Sequence, residues 1–590
     1  MNFTSPLALA RLGARLSAAF LLALLVGCGG GGAAPEGPSD PGPGVPQPPV
    51  QPPGQPAPSI QTVAPSNGPV DGGTRVTIQG AEFQEPLTVE FGGVAATDVT
   101  VLGPGTVEAV APFNPHGDVS VAVVNGNGTG SLADAFAYVR FPTVLAGSDV
   151  QVDSHVGTPS SLRSPKVCCA GEHVYVTWSE ARAGASQDIF FQHSSDRGRS
   201  WLPVDVRLNT NAAGASASLA PQICCDDAYV YVCWMDNRNG HYEPYVNRSA
   251  SRGATWLPND VRISPSSGSI LTFEPSIACD GQQVVVTWAD DRNNAPFRGA
   301  DIWANRSSDG GLTWLSTDAR VSSAPAGSMP AIVSRTVPVM VGSSAYVTWT
   351  DWRNGHADVF FGRSADGGAT WDAINTRLDT DSPSADPKLC AVDSHVYVVW
   401  RDARQPGSYR LYARGSSNGG SSFASEVRVD HAGSGVVAGV PSVACAGSDL
   451  YVAWADARDG LGADVWFNRS TDAAATFGPT DVRLNNDVGT SLVVTHDPVA
   501  CCSPEGIVHV GWADQRSGSG FDVFVSSSAD RGATWPFDGL RMDTDLAGST
   551  SSYGPDIACD GALFQVVWKD DRGAAAPEAG FDIRANGNQP

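Results

Sequence analysis

The chain has 590 residues, which is long enough for several domains or for one large repeat array. Only 17% of the residues are charged, whereas glycine (65) and proline (42) are abundant, as is typical of many short strands joined by tight turns. The net charge of −24 repels polyanions, which argues against nucleic acid and anionic lipid as partners.

Residues 1–27 have the order of an export signal. Arg11 and Arg15 precede the apolar run AAFLLALLVG, which is too short to span a membrane comfortably. The next stretch, LVGC, ends at Cys28 and resembles a bacterial lipobox. The resemblance implies cleavage before Cys28 and attachment of lipid to its sulfur, and an ordinary export signal is the alternative. Gly29 follows instead of the aspartate that retains lipoproteins at the inner membrane. We therefore expect a lipid-anchored protein of the cell envelope, at the outer membrane or cell surface.

Residues 28–57 are dominated by glycine and proline and cannot bury a core. This composition predicts a polyproline-like tether with a reach of at most ~3 Å per residue.

Residues 58–140 alternate apolar and polar positions between glycine, asparagine and proline turns, which predicts a β-sandwich. The segment resembles the IPT/TIG family of immunoglobulin-like domains. The resemblance implies a spacer or binding module, and no catalytic cluster is visible in the segment. The matching features are Gly72-Gly73-Thr74, the strand Val76 to Gly80, Phe83, Phe91-Gly92-Gly93, Pro112 and the closing strand Phe136 to Tyr138.

Residues 145–590 contain one repeated unit. Each period holds four short strands without helical patterning, which predicts a propeller blade. An opening phrase such as SSDGGLTW occurs seven times, from Ser194, Ser249, Ser307, Ser364, Ser416, Ser470 and Ser528. The phrase W-x-[DE]-x-R occurs eight times, at Trp178, Trp234, Trp288, Trp349, Trp400, Trp454, Trp512 and Trp568.

The ends of this region indicate how the ring closes. The last period stops after its third strand, FDIRANG, and a matching fourth strand lies at the front, in Ser148 to Gly157. A blade completed by both ends leaves no free sheet edge. We predict an all-β chain: an immunoglobulin-like sandwich followed by a propeller closed by N- and C-terminal strands in one blade. Eight blades are favoured, with seven as the rival count.

The opening phrase has a structural explanation. A carboxylate in a turn accepts hydrogen bonds from nearby N–H groups, Gly311 permits the positive φ that the turn needs, and Trp314 buries apolar surface. The phrase resembles the Asp-box, or BNR repeat, of the sialidase superfamily. Ser251, Asn418 and Ala474 depart from the pattern. The aspartates expected to hold these turns are Asp196, Asp309, Asp366, Asp472 and Asp530.

The acid and arginine of W-x-[DE]-x-R are two residues apart, on one face of a strand end. In six periods an aspartate, such as Asp188, opens the next strand. An arginine held between two carboxylates would pin each hairpin. The alternative is a set of arginines that point into a shared mouth and bind an anionic sugar.

Eleven cysteines remain besides Cys28, an odd number that cannot all pair within a monomer. Most of them occupy the same place on the first strand of a period. Three doublets occur, and the two cysteines of a doublet face opposite ways on the strand. Their pairing cannot be assigned from sequence. CxxC motifs are missing and histidines are scattered, so we expect no metal site and no cofactor.

Residues 176–201 and the stretch LRSPKV (162–167) resemble a bacterial sialidase. The resemblance implies that Arg163 holds a substrate carboxylate and that an acid near Glu180 or Asp188 donates a proton. Sialidases also need a tyrosine nucleophile activated by a glutamate, and no such pair can be placed by motif. They also have six blades.

Chemistry on one substrate needs residues that break the repeat. Candidates for ligand binding lie mostly between second and third strands: Tyr242, Glu243, Arg298, Trp352, Tyr409 and Arg410. We predict a monomeric, non-catalytic recognition module for a glycan or a cell-surface protein, in contact with the membrane through its lipid anchor only. The alternatives are an exo-acting glycosidase of sialidase type and an architectural envelope protein.

Overall fold

The computed structural model describes residues 56–587 with internal gaps. The export signal, Cys28, nearly all of the tether, Gly72-Gly73, Arg163 and Arg298 lie outside the described residues. The gaps are 65, 70–73, 113, 115–116, 140–147, 155–164, 185, 265–271, 294–298, 325–335, 381, 406–407, 434–435, 437, 459–461, 486–497, 519, 536–538, 562 and 573–580.

The first domain is a two-sheet β-sandwich, as predicted. One sheet has the order β1-β3-β7-β6 and the other β2-β9-β8-β4-β5. Phe136 is fully buried between Phe91 and Tyr138, each 5.0 Å away between ring centroids. The strands are β1 (Ser59–Ala64), β2 (Asn67–Pro69), β3 (Arg75–Ala81), β4 (Leu87–Phe91), β5 (Val94–Ala95), β6 (Thr97–Gly103), β7 (Thr106–Val110), β8 (Gly117–Asn125) and β9 (Gly128–Val139).

The described part of the repeat region forms eight four-stranded antiparallel sheets, here called blades 1 to 8. Blades 1 to 4 contain β11 (Lys166–Ala170), β12 (His173–Glu180), β13 (Asp188–Ser194), β14 (Val206–Arg207); β15 (Ser218–Cys225), β16 (Val230–Asp236), β17 (Glu243–Ser249), β18 (Val261–Arg262); β19 (Ser276–Asp280), β20 (Gln283–Asp290), β21 (Asp301–Ser307), β22 (Ala319–Arg320); and β23 (Val337–Val341), β24 (Ser344–Asp351), β25 (Asp358–Ser364), β26 (Thr376–Arg377).

Blades 5 to 8 continue the series. They contain β27 (Ser384–Val392), β28 (His395–Gln405), β29 (Ser408–Ser416), β30 (Val427–Arg428); β31 (Ser442–Ala446), β32 (Asp449–Asp456), β33 (Asp464–Ser470), β34 (Val482–Arg483); β35 (Val499–Cys502), β36 (Val508–Asp514), β37 (Asp522–Ser528), β38 (Leu540–Arg541); and β39 (Ser552–Asp560), β40 (Leu563–Asp570), β41 (Asp582–Gly587) with β10 (Val150–Gln151).

Blade 8 is built from both ends of the repeat region, as the sequence predicted. Its order is β10-β41-β40-β39, and β10 pairs with β41 through Val150 opposite Ala585. The first strands of successive blades contact one another in turn, and β39 of blade 8 contacts β11 of blade 1. The eight sheets therefore close on themselves.

Each blade buries the tryptophan of the W-x-[DE]-x-R phrase, which lies in its second strand. All eight of these tryptophans are fully buried. The second strands carry near-continuous β-branched runs, such as VVVTW in β20, because both of their faces pack against neighbouring blades.

The connections between second and third strands, and those from a fourth strand to the next blade, leave the same side of the sheets because successive strands alternate in direction. We call this side the 2–3 face.

Two disulfides join neighbouring blades. Cys168 pairs with Cys225 and Cys501 pairs with Cys559. Such bonds are typical of secreted and cell-surface proteins. Among the described residues there is no helix with the length and apolarity that a membrane crossing requires.

Candidate functional site

The W-x-[DE]-x-R phrase forms a buried ion-pair network at the 2–3 face. In blade 3, Trp288 Nε1 donates to Asp290 (2.8 Å), and Arg292 Nε donates to both oxygens of that carboxylate (2.8 and 2.9 Å). Nη1 of Arg292 lies 2.6 Å from Asp318, which precedes the fourth strand. Residues in the place of Asp318 contact the arginine in six other blades: Asp205, Asp260, Asn375, Glu426, Asp481 and Asp149.

In blades 1 to 7 the arginine of the phrase also stacks on an aromatic ring of the third strand. The guanidinium carbon of Arg182 lies 3.8 Å from the ring centroid of Phe190, and that of Arg292 lies 4.1 Å from Trp303. Side-chain exposure runs from 10% for Arg292 to 26% for Arg404. In blades 1, 2, 3, 5 and 6 the arginine has carboxylates on two sides and a ring on a third, which leaves little of its surface for a ligand.

Three acids of this network, Asp236, Asp402 and Asp570, are held in their charged form. Burial alone would raise the pKa of Asp236, but hydrogen bonds from Arg238 and Ser218 lower that pKa below its ordinary value. The same balance lowers the pKa of Asp402 and of Asp570.

In six blades the arginine lies between two carboxylates, as anticipated, but the second carboxylate is not the one that the sequence analysis expected. The aspartate that opens the third strand does not supply it. In blade 1, Asp188 instead binds Arg207 (3.3 Å) and Asn209 (2.7 Å), while Arg182 reaches Asp205. The two acids of this hairpin are thus bound by separate arginines, Arg182 from the hairpin itself and Arg207 from the fourth strand.

Blade 5 reverses the charge at the position that opens the third strand. Arg410 stands there and is 1% exposed. Its Nη1 lies 3.6 Å from Asp430, and its guanidinium donates to the backbone carbonyls of Gly433 and Val436. Arg410 is bonded inside the blade, as the aspartates are in the others.

The opening phrase forms a compact turn, here called the Ser-x-Asp turn. Asp309 accepts hydrogen bonds from Ser307 Oγ (2.7 Å), Thr313 N (2.9 Å) and Thr313 Oγ1 (2.5 Å). Gly310 and Gly311 both have positive φ (71° and 79°). The equivalent Asp196, Asp366, Asp472 and Asp530 make the same bonds within their turns.

The two acids that the sialidase resemblance singled out are both inside blade 1. Glu180 is 0% exposed and accepts from Trp178 Nε1 (3.0 Å) and from Arg182 Nε (2.8 Å). Asp188 is 1% exposed and also accepts from the Gly214 amide (3.0 Å). Both carry out in blade 1 the bonding that their equivalents carry out elsewhere.

The described ligand-binding candidates fall into two groups. Glu243 is buried and accepts from Asn239 (2.7 Å) and His241 (2.9 Å), so its carboxylate faces inward like that of Asp188. Tyr242, Trp352 and Tyr409 are half-buried on the 2–3 face. The guanidinium of Arg401 lies 5.0 Å from the centroid of Tyr409. The candidates come from blades 2, 4 and 5, and no contact between these blades' candidates is present among the described residues.

Blades 7 and 8 hold an aromatic group that the sequence analysis missed. Phe521 and Tyr553 have ring centroids 5.4 Å apart, and Tyr553 and Phe581 are 5.9 Å apart. Lys569 Nζ lies 5.3 Å from the centroid of Phe581. All three rings are half-buried. We call these four residues the aromatic group.

A positional signal in the sequence was available for two of these rings. Phe521 and Phe581 directly precede the aspartates that open β37 and β41, as Tyr242 and Tyr409 precede Glu243 and Arg410. Tyr553 carries no such signal, because it lies at a bulge in β39.

Three aspartates of blade 7, Asp522, Asp543 and Asp545, bring one oxygen each within 4.8 Å of one another. Such a cluster has the composition of a cation site. Here Nη2 of Arg541 lies 3.0 Å from both Asp522 and Asp543 and also contacts Asp545. The guanidinium of Arg541 therefore supplies the positive charge at this cluster.

Residues 58–138 match the family model described as the IPT/TIG domain. No curated protein matches the chain. Among solved structures, the chain is similar to a mutant of NanB sialidase from Streptococcus pneumoniae, with 11% identity and a TM-score of 0.33 over 87% of this chain and 83% of that one.

Two further similar structures are an α-L-arabinofuranosidase and a polysaccharide lyase. The α-L-arabinofuranosidase Arb93A from Fusarium graminearum shares 13% identity, with a TM-score of 0.33 over 52% of this chain and 89% of that one. A PL25 ulvan lyase shares 11% identity, with a TM-score of 0.39 over 62% and 90%. Likeness at this level assigns no activity to the present chain.

Proposed function

We propose that the propeller is a recognition module that binds a carbohydrate at the aromatic group of blades 7 and 8, without cleaving it. The observation that carries this proposal is the run of three half-buried rings, Phe521, Tyr553 and Phe581, on the 2–3 face. Ring faces pack against the apolar C–H faces of sugars, and the Lys569 ammonium beside them is a hydrogen-bond donor for sugar oxygens.

The acids of the repeat support recognition without catalysis. Glycoside hydrolysis needs two carboxyl groups that flank the scissile bond. Glu180 and Asp188 are buried and already accept hydrogen bonds from arginine, tryptophan or backbone groups. Their counterparts in the other blades have the same kind of partners, so they are explained by the blade and not by one substrate.

In this proposal the chain acts at the cell envelope as a monomer. Lipid on Cys28 would anchor it, and the tether together with the IPT/TIG domain would hold the propeller away from the membrane. A surface protein that carries the carbohydrate is a fitting source of the ligand.

A glycan array probed with the full chain tests the proposal. We expect binding of one class of glycan. Phe581→Ala should raise the dissociation constant, measured by calorimetry, at least ~10-fold because one face of the site is removed. Tyr242→Ala is the matched control, since Tyr242 holds the same position in blade 2, and its affinity should stay within about twofold.

Two outcomes would overturn the proposal. One is a contrary binding result: either Tyr242→Ala loses binding while Phe581→Ala keeps it, or the wild-type chain binds no glycan. The other is sustained turnover of a fluorogenic sialoside that Arg163→Ala abolishes, which would favour the exo-acting sialidase alternative.

A further inference from the structure

The cysteines of the propeller follow a positional rule that only the strand register reveals. Two successive positions near the end of each first strand are equivalent in all blades. The first lies opposite the residue three before the core tryptophan, as Cys168 lies opposite Tyr175. In blades 1 to 8 the first position holds Cys168, Cys224, Ala278, Val339, Cys390, Ala444, Cys501 and Ala558, and the second holds Cys169, Cys225, Cys279, Met340, Ala391, Cys445, Cys502 and Cys559.

Both disulfides of the structure join the first position of one blade to the second position of the next. Cys168 of blade 1 pairs with Cys225 of blade 2, with Cα atoms 6.1 Å apart. Cys501 of blade 7 pairs with Cys559 of blade 8, with Cα atoms 5.8 Å apart. The geometry of neighbouring first strands therefore suits a disulfide at this pair of positions.

Two more blade interfaces have cysteine at both positions. Cys224 of blade 2 faces Cys279 of blade 3, and Cys390 of blade 5 faces Cys445 of blade 6. In each pair the two thiols are close enough to interact with one another. Every first-position cysteine thus has a cysteine at the second position of the next blade.

The other four interfaces fit the same rule. Each lacks a cysteine at the first position, where alanine or valine stands instead. Cys169 and Cys502 therefore face Ala558 and Ala444, and Cys169 Sγ lies 3.8 Å from the carbonyl oxygen of Ala558. This pattern accounts for the odd count of cysteines, because these two face alanine and Cys233 lies on a second strand, outside the two positions.

We propose that Cys224–Cys279 and Cys390–Cys445 are disulfides of the exported protein, so that four of the eight blade interfaces carry a covalent link. Each bond forms from two thiols, which release two protons and pass two electrons to an external disulfide, reduced in turn to two thiols. The disulfides at Cys168–Cys225 and Cys501–Cys559 require the same class of oxidant. All four cysteines are half-buried between neighbouring first strands, so exchange takes place most readily before the blades finish packing.

Two competing pairings have to be separated from this proposal. Cys233 interacts electrostatically with Cys224, and Cys502 interacts with Cys445. In either case a disulfide with the second cysteine would take Cys224 or Cys445 away from its proposed partner. The alternatives are therefore Cys224–Cys233 and Cys445–Cys502, which leave Cys279 and Cys390 as thiols.

Thiol labelling of the full chain tests the proposal. The protein is exported through an oxidising compartment, denatured without reductant and alkylated, and labels are counted by mass spectrometry on the propeller peptides. Only Cys169, Cys233 and Cys502 should be labelled. Cys279→Ser should gain one label, on Cys224, and Cys390→Ser should gain one label, on Cys445.

Cys169→Ser is the matched control and should lose one label. If the two pairs are dithiols, or if either competing pairing forms, Cys279→Ser or Cys390→Ser loses a label instead of gaining one. That sign overturns the proposal, and denaturation before alkylation exposes every remaining thiol to the label whatever its burial in the folded protein.

Discussion

At the scale of single residues, the surroundings of each aspartate decide its charge. In the Ser-x-Asp turn, burial is slight and hydrogen bonds from Thr313 and Ser307 lower the pKa of Asp309 to about 2. In blade 7, burial and the neighbouring Asp522 raise the pKa of Asp543 to about 8. One residue type is therefore a firm anion in a turn and a protonated acid within a blade.

The other blades explain why a protonated acid fits there. The position of Asp543 holds Asn209 in blade 1 and Asn485 in blade 6, and these amides donate to Asp188 (2.7 Å) and Asp464 (3.0 Å). A protonated Asp543 donates to Asp522 in the same way.

Asp543→Asn should therefore stabilise the propeller as pH rises. The pKa of Asp543 in the folded protein lies above its unfolded value. The contribution of Asp543 to wild-type stability is therefore fully present below about pH 4 and falls until about pH 8, while the asparagine does not titrate. We expect the gain in free energy of unfolding to grow across this window to about 1–3 kcal/mol. Denaturant unfolding at pH 4.5 and pH 8 measures it.

Asn485→Asp is the mirror variant and should lose stability over the same window. A difference between Asp543→Asn and wild type that does not change with pH would refute the protonated state of Asp543.

At the scale of elements, each Ser-x-Asp turn is a contact between blades. The turn glycine that follows the first positive-φ residue packs on the previous blade. A Cβ on Gly532 would lie 2.6 Å from Phe467 Cζ, and one on Gly253 would lie 2.8 Å from Phe191 Cζ. Ala474 is tolerated at this position, and it packs in one buried cluster with Ala413, the small residue that blade 5 offers in place of phenylalanine.

Gly532→Ala should destabilise the protein by about 2–4 kcal/mol, because it combines positive φ with overlap on a buried ring. Thermal unfolding measures the change. Ala474→Gly is the control and should shift stability by about 1 kcal/mol or less. Equal effects of the two substitutions would contradict this account of the turn.

At the scale of the whole molecule, closure depends on contacts between the two ends of the repeat region. Asp149, ahead of β10, lies 2.6 Å from Arg572 and accepts from Thr544 Oγ1 of blade 7 (2.8 Å). In blade 2, Asp260 makes the equivalent contacts with Arg238 (2.8 Å) and with Thr210 Oγ1 of blade 1 (2.6 Å). The two sites differ in connectivity, because β10 is joined to its blade only by noncovalent bonds.

Asp149→Ala should therefore cost more than Asp260→Ala. Loss of the carboxylate lets β10 leave β41 and exposes a sheet edge, whereas in blade 2 the chain keeps the fourth strand in place. Hydrogen exchange should rise mainly in β10 and β41, about 10-fold or more, and only slightly in β17 and β18. A similar rise in both blades would show that closure is not the weak point.

The sequence by itself determined the repeat, the all-β architecture, the burial of residues such as Trp288 and the closing strand around Val150, because each follows from local patterning and turn chemistry. It also identified the residues of the Ser-x-Asp turn, whose bonds lie within a few residues of one another. Only the tertiary structure decided that Arg182 reaches Asp205, that Phe521, Tyr553 and Phe581 form one group, and which cysteines face each other. These contacts join different strands or different blades, and their distances depend on register and on blade packing, which no single period of the sequence encodes.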